Sequence, residues 1–429
     1  MRGLSLNFVR TVAVVLTTAT ALALCLVSPS FAQRDPFDLA QAGFLAKDRG
    51  EFTLAVRLFD EALQRGFFAD KQRGLLLYSR GASFEALGSR DRALSDFDAA
   101  IALLPDFPNV YVYRGIIWGD KREYQRALQD FLTASKLNPS DPLVFNNIGN
   151  VYQKMGQDDR ALENYDRAIG LRPDYAEAYY NRASVYVSKQ DEKRAQADYD
   201  KAISLQPTYE DAYVNRAVLH LRRRDIKGAL ADLDTAIGLN PRNVSALSNR
   251  ANVNLADGKY AEALRDFDRA LTMDPGNAAI YLGRGRARLY AGALDGSIDD
   301  LKTAVRLRPS NPYPVIWLHI ARVHKGESDR EEFSANAKNV KRDVWPGALL
   351  DMYFGLFDME KVKAAAEEGA TIEKSKRDCE ARFFLADFAA HNGQTEQARD
   401  AFQEIATRCG PAEVVYSAAL AEVRLLPRQ

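Results

Sequence analysis

One internal period constrains the fold of this chain more than any other feature. Similar residues recur at a spacing of 34 through eight consecutive units, and four extra residues separate the first unit from the second. In the unit that begins at Pro108, small residues stand at Gly115, Ala127 and Ala134, and the large Phe131 lies among them. Small side chains let two antiparallel helices approach closely, so each unit is predicted to be one helical hairpin.

The ends of the hairpins follow the same period. Proline occupies position 32 of the last seven units, from Pro105 to Pro309, and proline cannot continue a helix. A single hairpin cannot bury its own apolar face, so consecutive hairpins must stack into a solenoid. The period and these positions resemble the tetratricopeptide-repeat (TPR) family. The resemblance implies an all-α, right-handed superhelix whose concave groove is lined mainly by the first helix of each hairpin, here called helix A.

The pattern divides the chain into five predicted segments. Residues 1–32 are typical of a signal peptide, and residues 36–309 hold eight TPR units. Residues 310–378 are predicted to form degenerate helical hairpins, residues 379–410 a final TPR-like hairpin, and residues 411–429 a capping helix. The eight units begin at Pro36, Gly74, Pro108, Pro142, Ala176, Glu210, Val244 and Ala278.

Position 7 of helix A and position 23 of the second helix, helix B, vary together. Six units carry arginine at the first position and aspartate at the second, whereas Ile148 is matched by Asn164. Burying one charge without its partner would be costly, so an ion pair within each hairpin is predicted. The alternative is that duplicated units inherited both residues without any contact. The predicted pairs are Arg80 with Asp96, Arg114 with Asp130, Arg182 with Asp198, Arg216 with Asp232, Arg250 with Asp266, and Arg284 with Asp300.

A row of asparagines marks the predicted groove. Position 6 of helix A is Asn147, Asn181, Asn215 and Asn249 in four successive units. A carboxamide both donates and accepts hydrogen bonds, which suits the backbone of a bound peptide. The row resembles the asparagine ladder of O-GlcNAc transferase, although asparagine on a wet helix face is also ordinary surface. The other predicted groove residues are Asn146, Asn150, Tyr180, Arg222, Asn252, Arg286 and Tyr290.

The N-terminal segment is typical of an exported protein. Arg2 and Arg10 precede an apolar run that ends in small residues. We therefore predict a signal peptide cleaved after Ala32 and a periplasmic mature protein. An uncleaved inner-membrane anchor is the alternative, since about 20 apolar residues can span a bilayer. Lipidation of Cys25 is disfavoured by the leucine that precedes it.

The last third departs from the repeat. Trp345 and Pro346, followed by a Leu-Leu pair and a hairpin that starts at a cysteine, resemble the NlpI-type TPR lipoproteins of bacterial envelopes. That resemblance implies an adaptor that gathers cell-wall hydrolases and a protease. Cys379 and Cys409 stand at the start and the end of the final hairpin, two points that antiparallel packing brings together. A disulfide between them is predicted in an oxidising compartment, and two reduced buried thiols are the alternative.

Composition and motifs favour binding without catalysis. Lys plus Arg and Asp plus Glu both total 58, so no basic field is available to attract nucleic acid. His220 is predicted to be a packing residue, and His319 and His324 are five residues apart, which does not place two zinc ligands on one helical face. Recurrent Asp-x-Asp pairs such as Asp96 and Asp98 are expected to make salt bridges rather than to bind metal.

No nucleophile motif or phosphate loop appears in the sequence. We therefore predict no enzyme activity, cofactor, metal or small-molecule substrate. The rival hypothesis is a small enzymatic domain in the last third. The expected partners are proteins or peptide segments of the cell envelope, and the sequence leaves open whether the protein forms a homodimer.

Overall fold

The computed structural model describes residues 35–356, 359–368, 371–411 and 413–426. The predicted signal segment lies outside these residues. Within them, all regular secondary structure is helical, with 23 α-helices and no strand. None of the helices in this part of the chain is both long and apolar enough to cross a bilayer. The fold class is an all-α solenoid of helical hairpins.

The chain divides into two compact units. Unit 1 ends at Asp191 and unit 2 begins at Glu192. The helices of unit 1 are α1 (Pro36–Asp48), α2 (Phe52–Arg65), α3 (Asp70–Ala86), α4 (Arg90–Leu103), α5 (Pro108–Asp120), α6 (Tyr124–Leu137), α7 (Pro142–Lys154), α8 (Asp158–Leu171) and α9 (Ala176–Ser188).

Unit 2 contains the remaining helices. They are α10 (Glu192–Leu205), α11 (Glu210–Arg222), α12 (Ile226–Leu239), α13 (Val244–Ala256), α14 (Tyr260–Met273), α15 (Ala278–Tyr290), α16 (Leu294–Leu307), α17 (Pro312–His324), α18 (Arg330–Ala337), α19 (Gly347–Tyr353), α20 (Met359–Glu367), α21 (Thr371–His391), α22 (Thr395–Arg408) and α23 (Val414–Leu425). Helices pack mainly against their neighbours in sequence, as stacked hairpins must.

Glycine at position 8 of helix A lets a ring from helix B pack against the backbone. A Cβ atom added to Gly81 would lie 2.8 Å from Phe97, and one added to Gly115 would lie 2.8 Å from Phe131. These separations are shorter than van der Waals contact, so a larger residue would push the helices apart. Both rings are buried. The alternation of small and large residues therefore sets the spacing within a hairpin.

The turn after helix A needs a left-handed residue at position 15. This residue has φ between 60° and 78° in all eight hairpins of the repeat. It is glycine in five of them, and it is Arg122, Gln190 or Arg224 in the others. A side chain in this conformation costs roughly 1–2 kcal/mol. Sequence analysis did not single out this position, although its glycines recur with the period.

Two predicted boundaries differ from the structure. Helix α3 begins at Asp70 and not at Gly74, because the four extra residues lengthen it by about one turn. Helix α21 begins at Thr371, so the predicted boundary between residues 378 and 379 lies inside a helix and is wrong. The small-residue pattern starts at Cys379, but the helix extends about two turns toward its N-terminus.

Five of the predicted ion pairs lie in contact within their hairpins. The closest nitrogen–oxygen distances are 2.6 Å for Arg80–Asp96, 2.6 Å for Arg114–Asp130, 2.6 Å for Arg216–Asp232, 2.7 Å for Arg250–Asp266 and 2.6 Å for Arg284–Asp300. Each arginine binds its aspartate through Nε and one Nη, which is the strong two-point geometry of a guanidinium and a carboxylate. Arg182 and Asp198 belong to different units, and their pairing stays a prediction.

The same arginines also bind the preceding hairpin. The salt-bridge role expected of the Asp-x-Asp pairs is confirmed, but these arginine partners were not predicted. The second partner is the aspartate at position 25 of the previous helix B. These contacts are Arg80–Asp60, Arg114–Asp98, Arg182–Asp166, Arg216–Asp200, Arg250–Asp234 and Arg284–Asp268, at 2.6–2.7 Å. The sequence does carry a signal for these contacts. Ile148 replaces the arginine at position 7 in one unit, and in the unit before it Leu132 replaces the aspartate at position 25. Each position-7 arginine therefore joins two neighbouring hairpins.

Candidate functional site

The predicted groove corresponds to positions 5, 6, 9 and 13 of helix A, a surface that we call the helix-A face. In unit 1, Nδ2 of Asn181 donates to Oδ1 of Asn146 at 3.0 Å, and Nδ2 of Asn146 donates to Oε1 of Glu177 at 3.3 Å. Asn146 is fully buried, so the prediction that it lines the groove is wrong. It instead ties α7 to α9 and holds Asn181 in place, while Asn181 stays part-exposed.

The other predicted polar residues of unit 1 have mixed surroundings. Oδ1 of Asn150 accepts a hydrogen bond from the hydroxyl group of the buried Tyr165 at 2.7 Å, so Asn150 helps to hold helix B. Asn147 is part-exposed, but its Nδ2 is buried and has no hydrogen-bond partner among the described residues. Tyr180 is also part-exposed. The helix-A face of unit 1 thus offers amide and phenol groups at its surface.

Two tyrosines add an aromatic patch to the helix-A face of unit 1. Tyr78 on α3 and Tyr113 on α5 meet edge to face, with ring centroids 5.6 Å apart, and Tyr78 also packs against Phe107 at 5.2 Å. Both tyrosines are part-exposed. Burial raises the pKa of each phenol, so both groups stay neutral at physiological pH. These residues were not predicted, because Tyr78 at position 5 and Tyr113 at position 6 belong to the two units that precede the asparagine row.

In unit 2 the last helix covers the helix-A face. One Nη of Arg286 donates to the carbonyl oxygen of Val414 at 2.7 Å and to Oγ of Ser417 at 2.8 Å, both at the start of α23. Its guanidinium group also lies 4.9 Å from the centre of the Trp317 ring. Arg286 is only 2% exposed, and burial lowers its pKa to about 10.

Tyr290 is buried in the same region. Its side chain is closed off from solvent, its ring meets Trp317 edge to face at 6.4 Å, and burial raises its pKa. The prediction that Arg286 and Tyr290 line an open groove is therefore wrong. The physical reason is that α23 packs across α13 and the hairpin of α21 and α22, and so fills the helix-A face there.

The remaining groove predictions in unit 2 concern four residues. Arg222 is exposed, with Nη1 4.0 Å from Glu192. Asn252 is exposed, and its Nδ2 donates to the carbonyl oxygen of Ser248 on its own helix. Asn215 and Asn249 are part-exposed. Since Asn147 and Asn181 belong to unit 1, a ladder of all four asparagines stays a prediction.

A disulfide joins Cys379 and Cys409, with their Cα atoms 6.1 Å apart. It links α21 to the end of α22, as the hairpin spacing predicted. One Nη of Arg224 donates to the carbonyl oxygens of Thr407 and Cys409 at 2.6 and 2.9 Å, so the turn after α11 holds this end of the hairpin. Cys379 therefore offers no free thiol to a catalytic mechanism in the last third.

The four histidines all lie next to acidic side chains. His220 is 2.9 Å from Asp225 and 3.6 Å from Asp232, so it has a polar role besides packing. His319 contacts Asp329 at 3.0 Å and packs against the rings of Phe333 and Tyr353. The other two histidines lie side by side, with ring centroids 5.5 Å apart.

Comparison with family models identifies the repeat directly. The model described as "Tetratricopeptide repeat" matches residues 176–209, 214–278, 248–312 and 356–413. The model described as "TPR repeat" matches residues 120–156 and 154–190. Together these matches cover more than half of the 429 residues.

Solved structures show partial similarity. YrrB, described as a TPR protein with an unusual peptide-binding site, is 26% identical, with a TM-score of 0.36 over 43% of this chain and 95% of its own. A TPR protein from Parabacteroides merdae is 22% identical, with a TM-score of 0.47 over 58% of this chain and 99% of its own. The pilF protein of Pseudomonas aeruginosa is 17% identical, with a TM-score of 0.45 over 48% and 94%. Each is matched over nearly its whole length by only part of this chain.

Proposed function

Because this chain belongs to the tetratricopeptide-repeat family, a family of protein-binding scaffolds, we propose that it is an exported adaptor that holds extended peptide segments of cell-envelope proteins. The binding surface in this proposal is the helix-A face of unit 1. The observation that carries the proposal is the contrast between the two units. The helix-A face of unit 1 presents part-exposed amides and phenols, whereas α23 covers Arg286 and Tyr290 in unit 2.

The chemistry of unit 1 suits an extended peptide. An extended backbone presents its own N–H groups, and the amide oxygens of the part-exposed Asn147 and Asn181 can accept hydrogen bonds from them. The Nδ2 atoms do not take part, because that of Asn147 is buried and that of Asn181 bonds to Asn146. The edge-to-face pair of Tyr78 and Tyr113 supplies apolar area together with hydroxyl groups, a combination that is frequent at peptide-binding surfaces. The contact between Asn146 and Asn181 holds one of these amides in a defined place, which reduces the entropy lost on binding.

The compartment and the anchoring belong to the proposal too. The charged and then apolar start of the sequence supports export, and cleavage after Ala32 would release the protein into the periplasm. One alternative is a protein that keeps this segment as an inner-membrane anchor and assembles a complex there. Another is a lipoprotein adaptor for cell-wall hydrolases and a protease. Fractionation of a tagged protein, with the mass of its mature form, separates the three.

The peptide-binding proposal is tested by crosslinking and pull-down from the cell envelope. The double variant Asn147→Ala and Asn181→Ala is expected to lose most captured proteins, because two backbone-pairing amides are removed from one surface. Asn164→Ala is the matched control, since this asparagine lies on helix B and its Nδ2 donates to the carbonyl oxygen of Arg160 on its own helix. Equal capture by the wild type and the double variant would refute the assignment of the groove and leave the fold untouched.

Deletion of α23 gives a second arm to this test. Removing residues 414–429 takes away the helix that covers Arg286 and Tyr290, so the truncated protein is expected to capture additional proteins through unit 2. These additional proteins should not depend on Asn147 or Asn181. The truncated protein should also still capture the proteins that the wild type captures. If it loses those proteins when Asn147 and Asn181 are also replaced by alanine, this supports unit 1 as their binding surface.

A further inference from the structure

A cluster of potential metal ligands lies where three helices of unit 2 meet. His324 ends α17, and Asp387 and His391 lie one turn apart on α21. One donor atom from each of these three residues falls within 4.8 Å of the others. Glu422 on α23 adds a fourth group, because its Oε1 is 3.5 Å from Nε2 of His324. The four side chains come from positions up to 98 residues apart in sequence, so the fold alone brings them together.

The two carboxylates of this cluster are buried. Asp387 is 1% exposed and Glu422 is 4% exposed. Oε1 of Glu422 has no short hydrogen bond among the described residues, although the buried hydroxyl group of Tyr290 lies beside this carboxylate and also lacks a short hydrogen bond. A buried carboxylate oxygen without a donor is costly, so such a group calls for a cation or a proton nearby. Arg286, a buried arginine of the same unit, directs its hydrogen bonds to Val414 and Ser417 at the start of α23.

We propose that His324, Asp387, His391 and Glu422 form a binding site for one divalent transition-metal ion of the zinc type. Imidazole nitrogens are borderline donors and carboxylate oxygens are hard donors. Proteins use this combination to bind zinc and neighbouring first-row metals. Bonds of about 2.0–2.1 Å in tetrahedral geometry place ligand atoms about 3.3 Å apart. The donors of His324, Asp387 and His391 already lie within 4.8 Å of one another, and Oε1 of Glu422 lies 3.5 Å from Nε2 of His324.

Surrounding residues orient the cluster. The hydroxyl group of Tyr353 donates to Oδ2 of Asp387 at 2.7 Å, and Nδ1 of His391 lies 3.3 Å from the same oxygen. Hydrogen bonds of this kind fix the direction of metal ligands.

The site corrects the reasoning from the sequence. Sequence analysis compared His324 with His319 and found a spacing unsuited to shared ligation. In the structure His319 pairs with Asp329 instead, and His324 meets His391, which is 67 residues away. A metal ion bound here would join α17, α21 and α23, and so hold the last helix over the helix-A face of unit 2. This consequence does not depend on the proposed peptide partner.

The test uses tag-free, chelator-treated full-length protein, because a polyhistidine tag binds metals itself. Titration with Zn²⁺ by calorimetry, and with Co²⁺ by visible absorption, is expected to show one ion per chain. The variants His324→Gln and His391→Gln should each weaken binding about 10-fold to 100-fold or more. His220→Gln is the matched control, since this histidine of unit 2 also lies beside two carboxylates and should leave the titration unchanged.

Two further measurements keep the outcome clear if a variant folds poorly. Zn²⁺ should raise the melting temperature of the wild type and should slow hydrogen exchange in α17, α21 and α23. Circular dichroism shows whether each variant keeps its helices. The proposal is overturned if the wild type binds neither ion. It is equally overturned if His324→Gln and His391→Gln bind as tightly as the wild type, or if the bound ion leaves these three helices unprotected.

Discussion

Removing Arg114 alone should damage the protein more than removing it together with its partner. Asp130 is 5% exposed and Arg114 is 22% exposed, and two hydrogen bonds of 2.6 and 2.9 Å join them. Arg114→Ile leaves a buried carboxylate without its cation, which costs about 3–5 kcal/mol. The chain itself shows the alternative, because Ile148 and Asn164 occupy the two positions in another hairpin.

The double variant Arg114→Ile with Asp130→Asn copies that natural combination. It removes the buried charge as well as its partner, so most of the penalty should disappear. What remains is the contact of Arg114 with Asp98, which is 60% exposed and contributes at most about 1 kcal/mol. The double variant should therefore be less destabilised than the single variant by about 2 kcal/mol or more.

The pH dependence provides an independent check. Burial raises the pKa of Asp130, and the hydrogen bonds from Arg114 oppose that rise. In Arg114→Ile this opposition is lost, so the pKa of Asp130 rises further. A carboxyl group whose pKa is raised by folding destabilises the protein above its unfolded pKa of about 3.9. The deficit of the single variant should therefore grow as the pH rises above about 4, until the folded pKa of Asp130 is passed, and the double variant should lack this trend.

Urea unfolding followed by circular dichroism measures the overall effect. Repeat proteins unfold in sections, so hydrogen exchange by mass spectrometry should be read from peptides of α5 and α6, where the change is made. The reasoning is refuted if Arg114→Ile costs less than about 1 kcal/mol, or if the double variant is as unstable as the single one.

Three further predictions concern the turns and the C-terminal hairpin. Cys379→Ser should destabilise the last hairpin by about 3 kcal/mol, because the disulfide closes a loop of 30 residues. Hydrogen exchange should become faster in α21–α23 only, and unchanged hydrogen exchange there would contradict this prediction. Arg122→Gly should raise stability by up to about 1 kcal/mol, since it relieves a side chain at φ 62°, and a lower urea midpoint would count against this. Gly258→Ala and Gly156→Ala should each lower stability by roughly 1–2 kcal/mol, since both place a side chain at a left-handed φ and the Arg424 side chain near Gly258 can rotate away; a markedly larger loss for Gly258→Ala in urea unfolding would contradict this.

The repeat could be predicted from the sequence because its signals are local and repeated. A hairpin needs small residues where its helices cross and a break after helix B, and these appear at fixed positions in each unit. The partner of Arg114 within its own hairpin could be inferred because Ile148 and Asn164 vary together. Asp98 was expected to make a salt bridge, but Arg114 was not identified as its partner, because that contact joins residues of neighbouring units. Leu132 carries the same information.

The candidate site was less predictable. Position 9 is a groove position in a regular repeat, yet Arg286 is buried there because α23 lies over it. Nothing in the period shows where a non-repeating helix will pack. The direction of the chain after residue 411 depends on the summed contacts of many side chains, including the bonds of Arg224 to the end of α22.

Periodic sequence alone specifies the hairpins, their turns and the ion pairs within them, because each of these depends on residues fewer than about 34 positions apart. Which part of the helix-A face stays open depends on contacts across more than 100 residues, such as that between Arg286 and Ser417. The meeting of His324, His391 and Glu422 has the same origin. Such contacts form only when the folded chain places distant helices side by side, so they cannot be predicted from a local sequence pattern.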